Sequence, residues 1–238
     1  MKLTNPFNVA LLALAVTAGT ATTIIAGNPN QGIDPKDFTT TIDNPFFPLV
    51  PGTTYIYEGT KEGSPLRDVF EVTDRTKMIM GVKCREILDR VYVDGALEED
   101  TLDWFAQDDD GNVWYFGENT KELDADGNVV STEGSWEAGV DGALPGILME
   151  AHPRVGDTYR QEFAEGVAED MATVLALNKT VKVPFGNFKG CLETKEFTPL
   201  EPGQFEHKYY AAGIGFIRSV LVKGGKEELN LVDIVRAP

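Results

Sequence analysis

The chain has 238 residues, with 38 Asp and Glu against 21 Lys and Arg, and a formal net charge of −17. That balance excludes nucleic acid and anionic membrane surfaces as partners, because both are recognised through basic patches. It favours solubility, cations or basic partners, in a chain about one domain long once a targeting segment is set aside.

Residues 1–26 read as a signal peptide. Lys2 gives the positive start, residues 9–16 the apolar core, and Gly19-Thr20-Ala21 a small-x-small cleavage site. The apolar run continues to Ala26, long enough to span a bilayer if it were kept, but Thr and Gly dilute it and no basic stop-transfer cluster follows. No Cys closes the segment, so a bacterial lipid anchor is not expected. The mature chain is expected to be secreted or periplasmic, with no membrane span after signal removal. Residues 27–41 are polar and read as a linker. Residues 43–51 mix aromatics and prolines, and read as an extended lead-in that inserts Phe46, Phe47 and Leu49 into the core.

A first repeat then runs over about residues 50–130. Residues 55–58, 68–73, 77–80, 84–93, 97–106 and 113–117 read as strands. Asp94-Gly95, Asp110-Gly111-Asn112 and Asp126-Gly127-Asn128 are turns, because Asp-Gly supplies positive φ at low steric cost. Residues 131–154 hold several Gly and Pro, one Trp and no period. They are expected to form a long ordered loop, with one helical turn, over one end of the β structure. A second repeat occupies about residues 155–235. Its strands are 169–177 (where a helical face also fits), 181–183, 191–197, 205–211, 216–222 and 228–235.

The two repeats share landmarks at nearly constant spacing. Gly52 and Gly156 are 104 residues apart, Cys84 and Cys191 are 107 apart, and Trp104 and Tyr209 are 105 apart. Such a period marks an internal duplication. Short strands, regular turns and the absence of a long amphipathic helix point to an all-β fold over residues 42–238. In it, two tandem repeats of antiparallel strands form a barrel or sandwich of two curved half-barrels. Closing one half on the other also hides sheet edges.

Chemistry-bearing residues are sparse. Cys84 and Cys191 hold equivalent positions, so a disulfide between the repeats is a candidate in an oxidising compartment. Two separately buried thiols are the alternative. Of the two histidines, His207 alternates with Glu206 and Lys208 along a strand, so Glu206 and His207 cannot chelate together. Calcium has one candidate window. Glu122, Asp124 and Asp126 precede Gly127, and Glu133 stands at the twelfth place, as in an EF-hand loop. The flanks read as strand and loop, which favours an acidic hairpin. No G-x-S-x-G, phosphate loop or dinucleotide fingerprint is present. The remaining candidate is a cleft lined by amphipathic rings and polar groups: Asp103, Trp104, Trp136, Glu137, Arg160, Glu162 and Tyr209. Trp136, set among glycines in the inter-repeat loop, is the best single candidate for a ligand contact or a lid.

Trp104-Phe105-Ala106 and its echo Tyr209-Tyr210-Ala211-Ala212-Gly213-Ile214-Gly215 resemble the [WY]-Y-A-P-G-V-G signature of secreted bacterial β proteins, with Ala212 in place of the common proline. Residues 103–118 and 131–147 are similar to exported bacterial proteins of no assigned activity. More distantly, the chain resembles the half-barrel sheets of periplasmic lipoprotein carriers. The resemblance implies the fold and brings no functional residues. Lipid carriers have broadly aliphatic concave faces, whereas this chain would put Tyr, Trp and acids there. The expected function is therefore that of an exported, noncatalytic protein that binds a small molecule or a protein partner in or at the mouth of a β barrel. A surface structural protein without a small ligand and a metal-assisted hydrolase are the alternatives. No cofactor is expected, calcium at the acidic window excepted.

Overall fold

The computed structural model describes residues 33–237, so the expected signal peptide and the first part of the expected linker lie outside the described residues. The described chain is almost wholly antiparallel β. A single 3-10 turn, Pro35–Asp37, precedes β1 (Phe38–Thr39). The first repeat contributes β2 (Thr53–Lys61), β3 (Ser64–Ile79), β4 (Val82–Val93), β5 (Ala96–Asp108) and β6 (Val113–Leu123). The segment between the repeats contributes β7 (Val129–Ser131), β8 (Trp136–Glu137) and β9 (Leu144–Met149). The second repeat contributes β10 (Thr158–Arg160), β11 (Glu162–Phe163), β12 (Met171–Val183), β13 (Gly186–Phe197), β14 (Phe205–Ala211), β15 (Gly215–Lys223) and β16 (Glu227–Arg236).

Local chemistry sets the meander. Three hairpins turn on two residues with positive φ: Glu62 (50°) and Gly63 (93°), Met80 (50°) and Gly81 (83°), Asp94 (51°) and Gly95 (83°). Two such residues match the right-handed twist of the strands they join. Thirteen strands follow one hydrogen-bonded path, β10-β12-β13-β14-β15-β16-β2-β3-β4-β5-β6-β9-β11. The two ends of this path are consecutive in the chain. β10 pairs with β12, β11 pairs with β9, and Gln161 alone separates β10 from β11. The Gln161 amide donates to the Asp170 carbonyl at 2.8 Å, and its side chain donates to the Leu148 carbonyl at 3.3 Å. One bent segment thus stitches both edges and nearly closes the sheet into a barrel.

Several expectations change here. Residues 131–154 carry the end of β7, then β8 and β9, all added to β6, in place of a loop with a helical turn. Part of the expected linker is β1, which pairs Phe38 with Asp108 and Thr39 with Gln107. Residues 171–183 are strand, as read for 169–177 and 181–183, and the helical alternative falls away because β12 is held between β10 and β13. The lead-in is turned and not extended, since the Phe47 amide donates to the Asn44 carbonyl at 3.1 Å. Its plugging role is as expected for Phe47 and Leu49, both 3% exposed. Phe47 packs edge-on against Phe70 and Phe105, at 6.5 and 5.7 Å between ring centroids.

Candidate functional site

Side chains at the matching positions of the two halves make similar contacts. On the outward face of the first repeat, Lys77 pairs in register with Cys84, and Glu86 with Trp104. The Trp104 indole donates to Glu86 at 3.2 Å, and the Lys77 ammonium lies 3.5 Å from the indole centroid. In the second repeat, Lys179 pairs with Cys191 and Glu193 with Tyr209. The Tyr209 hydroxyl donates to Glu193 at 2.9 Å, and Lys179 reaches the same carboxylate at 2.8 Å. Even the entry turns match: the Gly52 amide donates to the Val72 carbonyl at 2.8 Å, and that of Gly156 to the Val174 carbonyl at 2.9 Å.

The inward face repeats the geometry with different chemistry. Counting from these landmarks, Asp68, Asp89 and Asp103 of β3, β4 and β5 correspond to Asp170, Glu196 and Lys208 beside or within β12, β13 and β14. Lys208, 2% exposed, lies 2.8 Å from Glu196 and 3.3 Å from Glu206. Glu196 also accepts from Thr194 and Tyr210, each at 2.8 Å. Burial draws the Lys208 ammonium down in pKa, but the Glu196 and Glu206 charges raise it above its ordinary value. The second repeat therefore neutralises its interior with a fixed cation.

The first repeat has no such cation at this level. Asp68 and Asp103 are fully covered and Asp89 is 1% exposed. Neither oxygen of Asp68 or Asp89 meets a fixed donor, and each carboxyl finds the other as its partner. Tyr115 donates to one oxygen of Asp103 at 2.5 Å, and the second oxygen has no partner. Burial, which disfavours the charged form, pushes Asp68 and Asp103 up to about 7. Asp89 rises well above the usual carboxyl range, first through burial and then through Asp68 beside it. Glu99, nearby on β5, rises to about 8 through burial.

A ligand cannot reach this interior as it stands, but the outer wall behind it is open. A groove of about 590 Å³ lies over β2, β3 and β4 near the hairpin ends, lined by Leu66, Val69, Pro65 and Tyr92, with Glu58 and Arg67 at its polar side. Arg67 stands between Glu58 and Tyr92 in register and pairs with Glu58 at 2.7 Å. Gly59 and Gly95 complete the lining.

The residues singled out from sequence divide into separate places. Asp103, Glu162 and Trp136 meet inside. The Trp136 indole donates to Glu162 at 2.8 Å, and its ring packs edge-on against Tyr115, the residue that bonds Asp103. Burial and then Asp170 push Glu162 well above the carboxyl range. Trp136 is not a loop lid: it is 6% exposed and lies on β8, paired with Glu118. Trp104 and Glu137 lie outside, joined through Lys77, which reaches Glu137 at 2.7 Å. Arg160 stacks over Phe163 at 4.0 Å, and Tyr209 serves Glu193. These seven residues do not form one cleft, because successive strand residues face opposite sides of the wall.

The acidic window folds as the β6–β7 hairpin. Asp124 accepts from the Asp126 and Asn128 amides at 3.0 and 2.9 Å, and Glu122 pairs with Ser131. Glu133 follows on a turn where its amide donates to Ser131 at 3.0 Å. Among the described residues, no three His, Cys, Asp or Glu side chains are grouped to hold a metal ion. Cys84 and Cys191 are buried free thiols and not a disulfide. They sit on β4 and β13, well separated along the sheet path. His207 faces outward, its Nδ1 3.1 Å from Glu193, opposite to Glu206, as strand alternation requires.

Sequence reasoning missed Asp68, Asp89, Glu196 and the pairing of Lys208. The signal was present in the repeat: Asp68 and Asp170 each stand four residues before the equivalent valines, Val72 and Val174. The acids of residues 68–73 and 84–93 were legible as strand residues, but strand alternation does not say which face is buried.

No protein-family model matches the chain, and no curated protein matches it. Among solved structures, the fold is similar to that of a Bacteroides fragilis protein inferred to be exported, with a YmcC-like fold. The identity is 16%, the match covers 80% of this chain and 99% of that one, and the TM-score is 0.45. A Parabacteroides distasonis protein inferred to be a lipoprotein matches at 10% identity over 80% of this chain and 98% of its own, with a TM-score of 0.42. Neither likeness speaks to a ligand or an activity.

Proposed function

We propose that the chain is an exported, noncatalytic binding protein that seats a small molecule in the groove outside β2, β3 and β4. The observation that carries this reading is the groove itself: about 590 Å³, apolar in body, with one guanidinium and one carboxylate at its side. Ligand sites are concave, mostly apolar and carry a few placed polar groups, in about this range of volume. A suitable ligand has an aromatic or aliphatic body and an anionic group to compete with Glu58 for Arg67. Export is supported by the N-terminal pattern of Lys2 and the apolar run after it. The binding reading is supported over a catalytic one by the interior carboxyls, which are closed to solvent and so to a substrate.

The test uses 1-anilinonaphthalene-8-sulfonate, whose apolar rings and sulfonate fit that description. The mature protein is expected to bind it saturably, with a dissociation constant on the order of micromolar. Val69→Trp fills the groove from the outward face and is expected to weaken binding about tenfold, as a loss of about 1.4 kcal/mol would. Absence of saturable binding, or a Val69→Trp variant that binds as well as the parent, would reject the groove.

A further inference from the structure

We propose that Asp68, Asp89 and Asp103 form a proton-operated latch in the first half of the barrel. A shared proton joins Asp68 and Asp89, the Tyr115 hydroxyl holds Asp103 near them, and loss of protons to solvent loosens β3, β4 and β5 while the second half stays closed. This inference rests on the interior alone and not on the groove reading.

The molecule supplies its own control. The two repeats place three polar side chains on the same three inward positions of adjacent strands. In the second repeat the third position is Lys208, whose ammonium bonds Glu196 and Glu206, so Glu206, raised to about 8 by burial, gives up its proton beside a fixed cation. In the first repeat it is Asp103, and the unpartnered oxygens lie on Asp68, Asp89 and Asp103 themselves. Unpaired buried charge is among the most costly arrangements a fold can hold, so the carboxyls need a cation among them. A proton is the cation that fits. The three residues are at most 1% exposed, which leaves no room beside them for water or a hydrated ion. No grouping able to hold a metal is found among the described residues.

The surroundings do not supply the missing charge. Tyr57 of β2 and Tyr115 of β6 face the cluster as hydroxyls whose own ionisation burial opposes. Glu99 of β5 acts on Asp89, and Glu227 of β16 acts on Asp68. Glu118 of β6, opposite Asp103 in register, and Glu162 of β11 add further carboxyls near Tyr115. Lys61 of β2 is drawn to Glu227, at 3.9 Å, and reaches Glu99 only through its field. The upward shifts of Asp68 and Asp103 to about 7 place the release of protons near neutral pH.

Hydrogen–deuterium exchange by mass spectrometry on the mature protein tests this, comparing about pH 5.5 with about pH 8.5 after correction for intrinsic rates. Peptides from β3, β4 and β5 are expected to exchange about tenfold faster at the higher pH, and peptides from β12, β13 and β14 less than about twofold faster. Asp89→Asn, which keeps the shape and removes one charge, is expected to flatten the response. A measurement on the unaltered protein stands beside it, should that variant not fold. The infrared carbonyl band of protonated carboxyl groups should persist at about pH 6, where ordinary carboxyls are ionised, and fade as the exchange rises. Equal loosening of both halves, an undiminished response in Asp89→Asn, or no such band at about pH 6 would each overturn the latch.

Discussion

At the scale of single residues, the interior is decided by where protons and cations sit. Lys208 is the fixed cation, and its partners Glu196 and Glu206 are 3% and 8% exposed. Lys208→Met keeps most of the side-chain volume and removes the ammonium that bonds Glu196 and Glu206. Breaking a buried pair from one side costs about 3–5 kcal/mol, because the remaining charge is left uncompensated. Urea unfolding at about pH 8 is expected to show a loss of that size. At about pH 5 the loss should shrink, because Glu206, already raised to about 8 by burial, is then protonated and needs no cation. A penalty equal at both pH values would mean that Lys208 acts through packing and not through charge. The same burial acts on the cysteines. Burial raises the Cys84 thiol well above its ordinary pKa, so little thiolate exists to react or to seek a partner.

At the scale of elements, the seams are held by close backbone approach. Gly59 of β2 stands opposite Leu229 of β16, where the C-terminal strand of the second repeat joins the first. A Cβ there would run into the Glu228 carbonyl. Gly59 needs no positive φ, so its cost on substitution is steric alone. Gly127 is the opposite case, with φ +80° and open space around it. Gly59→Ala is expected to cost about 1–3 kcal/mol by forcing the strands apart. Gly127→Ala should cost about 1–2 kcal/mol through backbone strain. Only the first should speed amide exchange in β16 as well as β2, and exchange confined to β2 would show that the seam tolerates the methyl. The long strands and their Asp-Gly hairpins were legible in the sequence, because their periodicity and turn chemistry are local. β8, with two residues, was not legible. It exists because Gly117 and Glu118 of β6 pair with Glu137 and Trp136, a tertiary cause with no local trace. Trp136, read from sequence as part of a loop, lies on a strand for that reason. Its neighbours Asp103 and Glu162 were named without the strand pairing that brings them together.

At the scale of the whole molecule, an acidic chain has folded part of its acidity inward. Asp68 and Asp103 rise to about 7, and Glu99 and Glu206 to about 8, chiefly by burial. In the unfolded chain such groups titrate near 4, at about 3.9 for Asp and 4.3 for Glu. Between those limits the folded state binds protons that the unfolded state has released. The resulting stability is fully present below about pH 4 and is lost as pH rises through about 7 and 8. Each carboxyl still protonated only in the folded state contributes a slope of about 1.4 kcal/mol per pH unit. The net charge of −17 acts in the same direction, since self-repulsion grows as the interior acids ionise. A weaker limb runs the other way. Glu193, although burial alone would raise it, is lowered overall by its bonds to Lys179 and Tyr209, so its contribution is present above the unfolded pKa and lost as pH falls through the folded one. The thermal midpoint should therefore peak at about pH 5 and fall steadily toward about pH 9, away from the near-neutral optimum common to other domains. Calorimetry across that range reads it directly. A midpoint that is flat, or that climbs toward neutral pH, would mean that the interior carboxyls are already ionised and solvated, and that the barrel is wetter than its packing shows.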